Sequence, residues 1–121
     1  MGKYVIKQGK TGPYFVLKAA NGEPIGKSEV YSSEAAAKNG IESVKKNAPV
    51  AGTEDQTVEG WKNMANPVFE LYKDKSGEFR FRLRAKNGEP ILASEGYSAK
   101  ASAIGGIESV KKNADSEIVT E

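Results

Sequence analysis

Three arginines alternate with apolar residues in Phe79-Arg80-Phe81-Arg82-Leu83-Arg84-Ala85. In an extended strand this period of two puts Phe79, Phe81, Leu83 and Ala85 on one side and the three guanidinium groups on the other. By the same alternation Tyr14, Val16 and Lys18 stand on the corresponding side of an earlier strand, with Tyr72 nearby. Arginine and tyrosine on an open sheet can grip phosphates and stack bases, as single-stranded nucleic-acid platforms do. The competing reading is a solvated face on which the arginines pair across strands with Glu70 or Glu95.

Other chemistry is largely excluded by composition. The 121 residues contain no Cys and no His, so there is no disulfide, thiolate nucleophile, Cys/His zinc site or imidazole base. Catalysis would have to come from Asp, Glu, Lys, Ser or Tyr alone. Glu23 and Glu89 are matched carboxylates, but they sit in exposed turns that would not separate their pKa values. Asp74-Lys75-Ser76-Gly77-Glu78 lacks the ligand spacing of a calcium loop, and no Gly-rich phosphate loop is present. No catalytic, metal or cofactor residue is assigned.

These side chains belong to a chain that states one unit twice. Phe15–Ala48 aligns without gaps on Phe81–Ala114, 66 residues on, with 23 of 34 positions identical. A unit of about 50 residues buries too little surface to be comfortably stable alone. The expectation is one domain over 1–121, with repeat one at 3–48, a linker at 49–67 carrying a possible short strand, and repeat two at 68–121. Because duplication internalises a dimer, a monomer is expected. Charge gives no strong pointer to a polyanion, since the net formal charge is only +2. It is uneven, at +4 over 1–48, −2 over 49–67 and zero over 68–121. No apolar run approaches the ~20 residues that span a bilayer, and the N-terminus lacks the apolar core of a signal peptide. A cytoplasmic protein is expected.

Each unit reads as three strands and a helix. Lys3–Lys7 and Tyr14–Ala19 are β-prone, Asn21-Gly22 is a hairpin signal, and a third strand runs about Ile25–Glu29. Ser32 or Ser33 can cap a helix over Glu34–Asn47, whose Ala37, Ile41, Val44 and Ala48 share one face. Glu42 can meet Lys46 one turn on. Gly40, repeated as Gly106 beside Gly105, lets the helix backbone lie close to what it packs on. A three-residue loop with Gly88 left-handed would place Ile91 and Ala93 beside Leu83 and Phe81. In the spacer, Thr57-Val58-Glu59 is a strand candidate, and Trp61 and Met64 look like apolar anchors. Glu117–Thr120 is the matching candidate after the second helix.

Phe-x-Leu-x-Ala before Asn-Gly-Glu, then Ser-Glu-x-Tyr-Ser, then Gly-Ile-x-Ser-Val-x-x-Asn, resembles the YegP-like family of small bacterial proteins. The resemblance covers Tyr4–Ala48 and Phe69–Ala114. It implies an α+β fold of two β-β-β-α-β units in one mainly antiparallel sheet, both helices on one face about a pseudo-twofold. It also implies exchange between units of the strands that follow the helices. The Pro49–Pro67 spacer is longer than that pattern leads one to expect. The family carries no established activity, cofactor or catalytic residues.

The expected function is therefore a non-enzymatic binding or interaction module. Its partner would be single-stranded nucleic acid or protein on the open sheet face, or protein along a strand edge; no membrane is implied. The alternative is an enzyme or small-ligand binder with a cleft at the pseudo-twofold between the helices.

Overall fold

The computed structural model describes residues 2–120. Its elements are β1 (Lys3–Gln8), β2 (Pro13–Lys18), β3 (Pro24–Lys27), α1 (Glu34–Asn47), a 3₁₀ turn (Ala48–Val50), β4 (Gly52–Asp55), β5 (Val68–Lys73), β6 (Phe79–Arg84), β7 (Pro90–Ala93), α2 (Lys100–Asn113) and β8 (Glu117–Thr120). One eight-stranded sheet runs in the order β4-β5-β6-β7-β3-β2-β1-β8. The fold is α+β, with one core between the sheet and the two helices.

Strand exchange sets the topology. β4, which follows α1, lies parallel to β5 of the second unit. β8, which follows α2, lies parallel to β1 of the first. All other pairings are antiparallel, and the units meet where β3 pairs with β7 through Lys27 and Ala93. Those two positions are 66 residues apart, so the pseudo-twofold passes through that pair.

Both helices are held by the faces their sequences define. The Ser33 hydroxyl accepts from the Ala36 N–H at 3.1 Å and caps α1, whereas Ala99 offers α2 no such bond. Ala37, Ile41, Val44 and Ala48 are all fully buried. Lys45, three residues on from Glu42, makes the ion pair expected of Lys46, at 3.9 Å. Gly40 and Gly106 are where the helices touch aromatic rings. A Cβ at Gly40 would overlap the Tyr31 hydroxyl and one at Gly106 would come 2.7 Å from that of Tyr97. Tyr31 in turn stacks on Phe15, and Tyr97 on Phe81. Gly105 has open space where its Cβ would be, so the close approach belongs to Gly106 alone.

Gly88 closes the expected three-residue loop, with φ +87° and Ala85 N–H donating to the Glu89 carbonyl at 2.9 Å. A register shift between Leu83 and Arg84 then takes up Ile91 as an extra residue. Leu92 therefore stands opposite Leu83 on the core face, and Ala93 stands opposite Arg82 on the arginine face. A bulge reverses the parity that alternation alone would give. The first unit does the same at Ile25, which leaves Lys27 on the open face opposite Val16.

The exchanged strand of the spacer is Gly52–Asp55, not Thr57–Glu59. It begins four residues after Ala48, close to the three that separate Ala114 from the start of β8. Thr57 instead closes a turn, its N–H donating to Asp55 Oδ1 at 2.9 Å. Trp61 is 42% exposed, so it does not anchor the spacer in the core; Met64, also exposed, only lays its methyl over Gly52.

Candidate functional site: a cationic groove on the open sheet face

The face of the sheet away from the helices carries a groove of about 790 Å³. It extends from Tyr72 on β5 to Lys7 on β1, crossing both units. At ~4.8 Å between strands, those five steps span roughly 24 Å. All six residues singled out by the arginine alternation line it: Arg80, Arg82, Arg84, Tyr14, Lys18 and Tyr72. Lys7 and Lys27 join them, giving six cationic side chains against two lining carboxylates, Glu29 and Glu95. Lys27 could have been found only by knowing that the bulge at Ile25 turns it outward.

The two ends of the groove are built from the same positions with different residues. Tyr14, Val16 and Lys18 correspond to Arg80, Arg82 and Arg84. Across the ladder, Tyr14 faces Lys7 in the first unit, and Arg80 faces Tyr72 in the second. Each end thus has one tyrosine and one cation opposite each other. The Lys27 ammonium lies 4.9 Å from the centre of the Tyr14 ring, and the Arg82 guanidinium 4.7 Å from that of Tyr72. Between them the floor differs. Val5 opposite Val16 is apolar in the first unit, and Glu70 opposite Arg82 is charged in the second.

The arginines are not bare cations. Glu70 Oε1 accepts from both Arg82 Nε and Arg84 Nε, the latter at 2.8 Å. Arg80 Nε donates to Asp74 Oδ2 at 2.6 Å. Pairing with Glu70 is what the solvated-face reading expects. Among the described residues the Glu95 carboxylate pairs with none of the three. Burial opposes ionisation of Glu70, but the bonds from Arg82 and Arg84 outweigh it and hold its carboxyl below the ordinary value. The bond from Arg80, helped by Ser76, holds Asp74 well below the usual carboxylate range. One carboxylate shared by two guanidinium groups leaves a net positive charge. Each contact uses Nε, which fixes the planar fork, and one terminal nitrogen of Arg80 reaches the Ser94 carbonyl at 3.4 Å. Arg84 spends one on the Gly88 carbonyl at 2.9 Å. Arg82 has no further hydrogen-bond partner among the described residues.

The helix side offers less chemistry. Among the described residues every buried side-chain nitrogen or oxygen has a hydrogen-bond partner, and no three His, Cys, Asp or Glu residues converge on a metal-sized site. The groove itself is on the face opposite the helices. No helix among the described residues is long and apolar enough to cross a membrane.

The chain matches the family described as "Domain of unknown function (DUF1508)" twice, over residues 10–55 and 74–121. It is 42% identical to the UPF0339 protein YegP of Yersinia pestis, over 100% of this chain and 96% of that one. A UPF0339 protein of Treponema denticola is 58% identical over 53 residues, which are 44% of this chain but 91% of the relative. One unit therefore nearly fills that protein. The solution NMR structure of the E. coli protein of unknown function yegP superposes with TM-score 0.80 at 31% identity, covering 99% of this chain and 92% of that one. These relatives are bacterial, and no specific function is attached to them.

Proposed function

We propose that this chain, which belongs to the DUF1508 family, is a non-enzymatic binding module whose concave sheet face takes single-stranded nucleic acid. The observation that carries this is the convergence of six cations and two tyrosines from both units on one groove. A groove roughly 24 Å long suits a few nucleotides. Its cations would meet phosphates, while the tyrosines and the Arg82 plane stacked on Tyr72 would meet bases. An enzyme is the weaker reading, because with no Cys and no His catalysis would rest on Asp, Glu, Lys, Ser or Tyr alone. We take the module to act as a monomeric single domain in the cytoplasm, with the pseudo-dimer inside one chain.

Each phosphate contact on a single strand adds about 0.7 to the salt slope of binding. Six cations would therefore approach a slope of about 4, and changing Arg80, Arg82 and Arg84 together to Gln should remove about 2 of it. That variant also removes the arginine partners of Glu70 and Asp74. Lys18→Gln with Lys27→Gln provides an independent arm, since neither lysine pairs with a carboxylate among the described residues. Fluorescence anisotropy of a labelled oligonucleotide across a salt series reads both arms. Weak binding at low salt only, unaltered in either variant, would mean that the face is merely solvated.

A further inference from the structure

The segment from Gln56 to Pro67 intervenes between β4 and β5, and its anchor is a buried acid. Glu54, 3% exposed, faces the groove side of β4 opposite Glu70. Its Oε1 accepts the Met64 backbone N–H at 2.7 Å and its Oε2 accepts from Gln56 Nε2 at 2.6 Å. Gln56 Nε2 also reaches Glu70 Oε2 at 3.4 Å, and Glu70 holds Arg82 and Arg84. A continuous chain of polar contacts thus joins the loop to the groove arginines.

The loop crosses the sheet on the groove side. The Met64 methyl closes over Gly52, where a Cβ would lie 2.7 Å away, and the Asn66 amide reaches Gly88 in the β6–β7 hairpin. This path accounts for Val68, which stands on the open face opposite Arg84 yet is only 2% exposed. At the first unit's end, Lys3 and Lys18 occupy the corresponding ladder positions. The loop therefore forms a wall over the open face beside Arg84. Trp61 lies in the loop between Gln56 and Met64, the two residues held by Glu54, 42% exposed, with no aromatic or cation partner among the described residues.

We propose that this loop is part of the binding surface: Trp61 is a third aromatic contact for a nucleobase, and Glu54 is the positioning residue that holds the wall. The proposal rests on the groove being a single-stranded nucleic-acid site. A large, uncharged aromatic at the end of an electrostatic groove adds affinity without adding salt dependence.

Trp61 is the only tryptophan, so its emission reports on the wall directly. The test titrates the full chain with unlabelled oligothymidylate and measures affinity separately by anisotropy of a labelled strand. Trp61 emission should change with the same midpoint as the anisotropy. Trp61→Ala should weaken binding about ten-fold with the salt slope unchanged, and Trp61→Phe should restore most of the loss. Glu54→Gln should weaken binding while leaving the arginine-dependent slope in place. Binding that proceeds with unchanged Trp61 emission, and within two-fold of wild type in Trp61→Ala, would overturn this inference and leave the groove assignment standing. No binding by the wild-type protein would overturn both. An equal emission change with polyglutamate would overturn the assignment to nucleic acid.

Discussion

Leu92 fills the space above Gly26: a Cβ at position 26 would come within 2.7 Å of Leu92 Cγ and Cδ2. The two are the same position in the two units, and they meet because the pseudo-twofold passes through the neighbouring Lys27–Ala93 pair. Two leucines would overlap there, and two glycines would leave a hole. Gly26→Leu alone should cost about 1–3 kcal/mol by overpacking, and Leu92→Gly about 2–5 kcal/mol through the cavity. The double exchange should recover at least about 1 kcal/mol of their sum. Urea denaturation of the four proteins measures the coupling, and strictly additive costs would mean that the two sites do not share a volume.

Ile41 and Ile107 are equivalent and are 0% and 1% exposed. Each changed to Ala should cost about 2–5 kcal/mol, from lost transfer energy plus the residual cavity. Denaturant midpoints that barely move for either variant would contradict the packing of both helices.

Residues 1–48 expressed alone keep β2 between β1 and β3 but lack β8, which pairs with the other edge of β1, and β7, which pairs with the other edge of β3. That fragment should be unfolded or should self-associate to replace the missing half. Sedimentation and amide dispersion would decide, and a folded monomer at micromolar concentration would be the contrary result.

The Tyr4 hydroxyl donates to the Ala114 carbonyl at 2.6 Å, tying the first unit to the end of α2. Burial, with the nearby Glu42 and Asp115 carboxylates, pushes its pKa well above the ordinary 10.0. A raised pKa means that the fold favours the neutral phenol. Its contribution is complete below pH 10 and declines as pH rises beyond that. Tyr4→Phe should cost about 0.5–1.5 kcal/mol at neutral pH and lessen the alkaline loss of stability. Tyr31 and Tyr97, also shifted upwards by burial, should keep part of that loss. Thermal melts between pH 7 and 11 would test this, and unchanged alkaline sensitivity in Tyr4→Phe would count against it.

Much of this was readable from residue order. The 66-residue repeat identifies the duplicated unit, and the alternation of Arg80, Arg82 and Arg84 puts six side chains on one face that the fold does gather. Strand exchange came from the family resemblance, since nothing in Gly52–Asp55 marks a strand. Its burial falls on Glu54, a charge satisfied by a turn ten residues later. Lys27 and Ala93 were misread or missed because a one-residue bulge inverts facing without leaving a signature in composition. The concavity of the open face is a property of the whole twisted sheet, which no single strand announces.

The pairing of Lys3 with Glu117 also has a meaning in time. On the ribosome, β8 is made 114 residues after its neighbour β1. At roughly 5–20 residues per second, β1 waits on the order of ten seconds for that neighbour. During that interval the outer edge of β1 is open, and whatever shields it then must let go when β8 arrives.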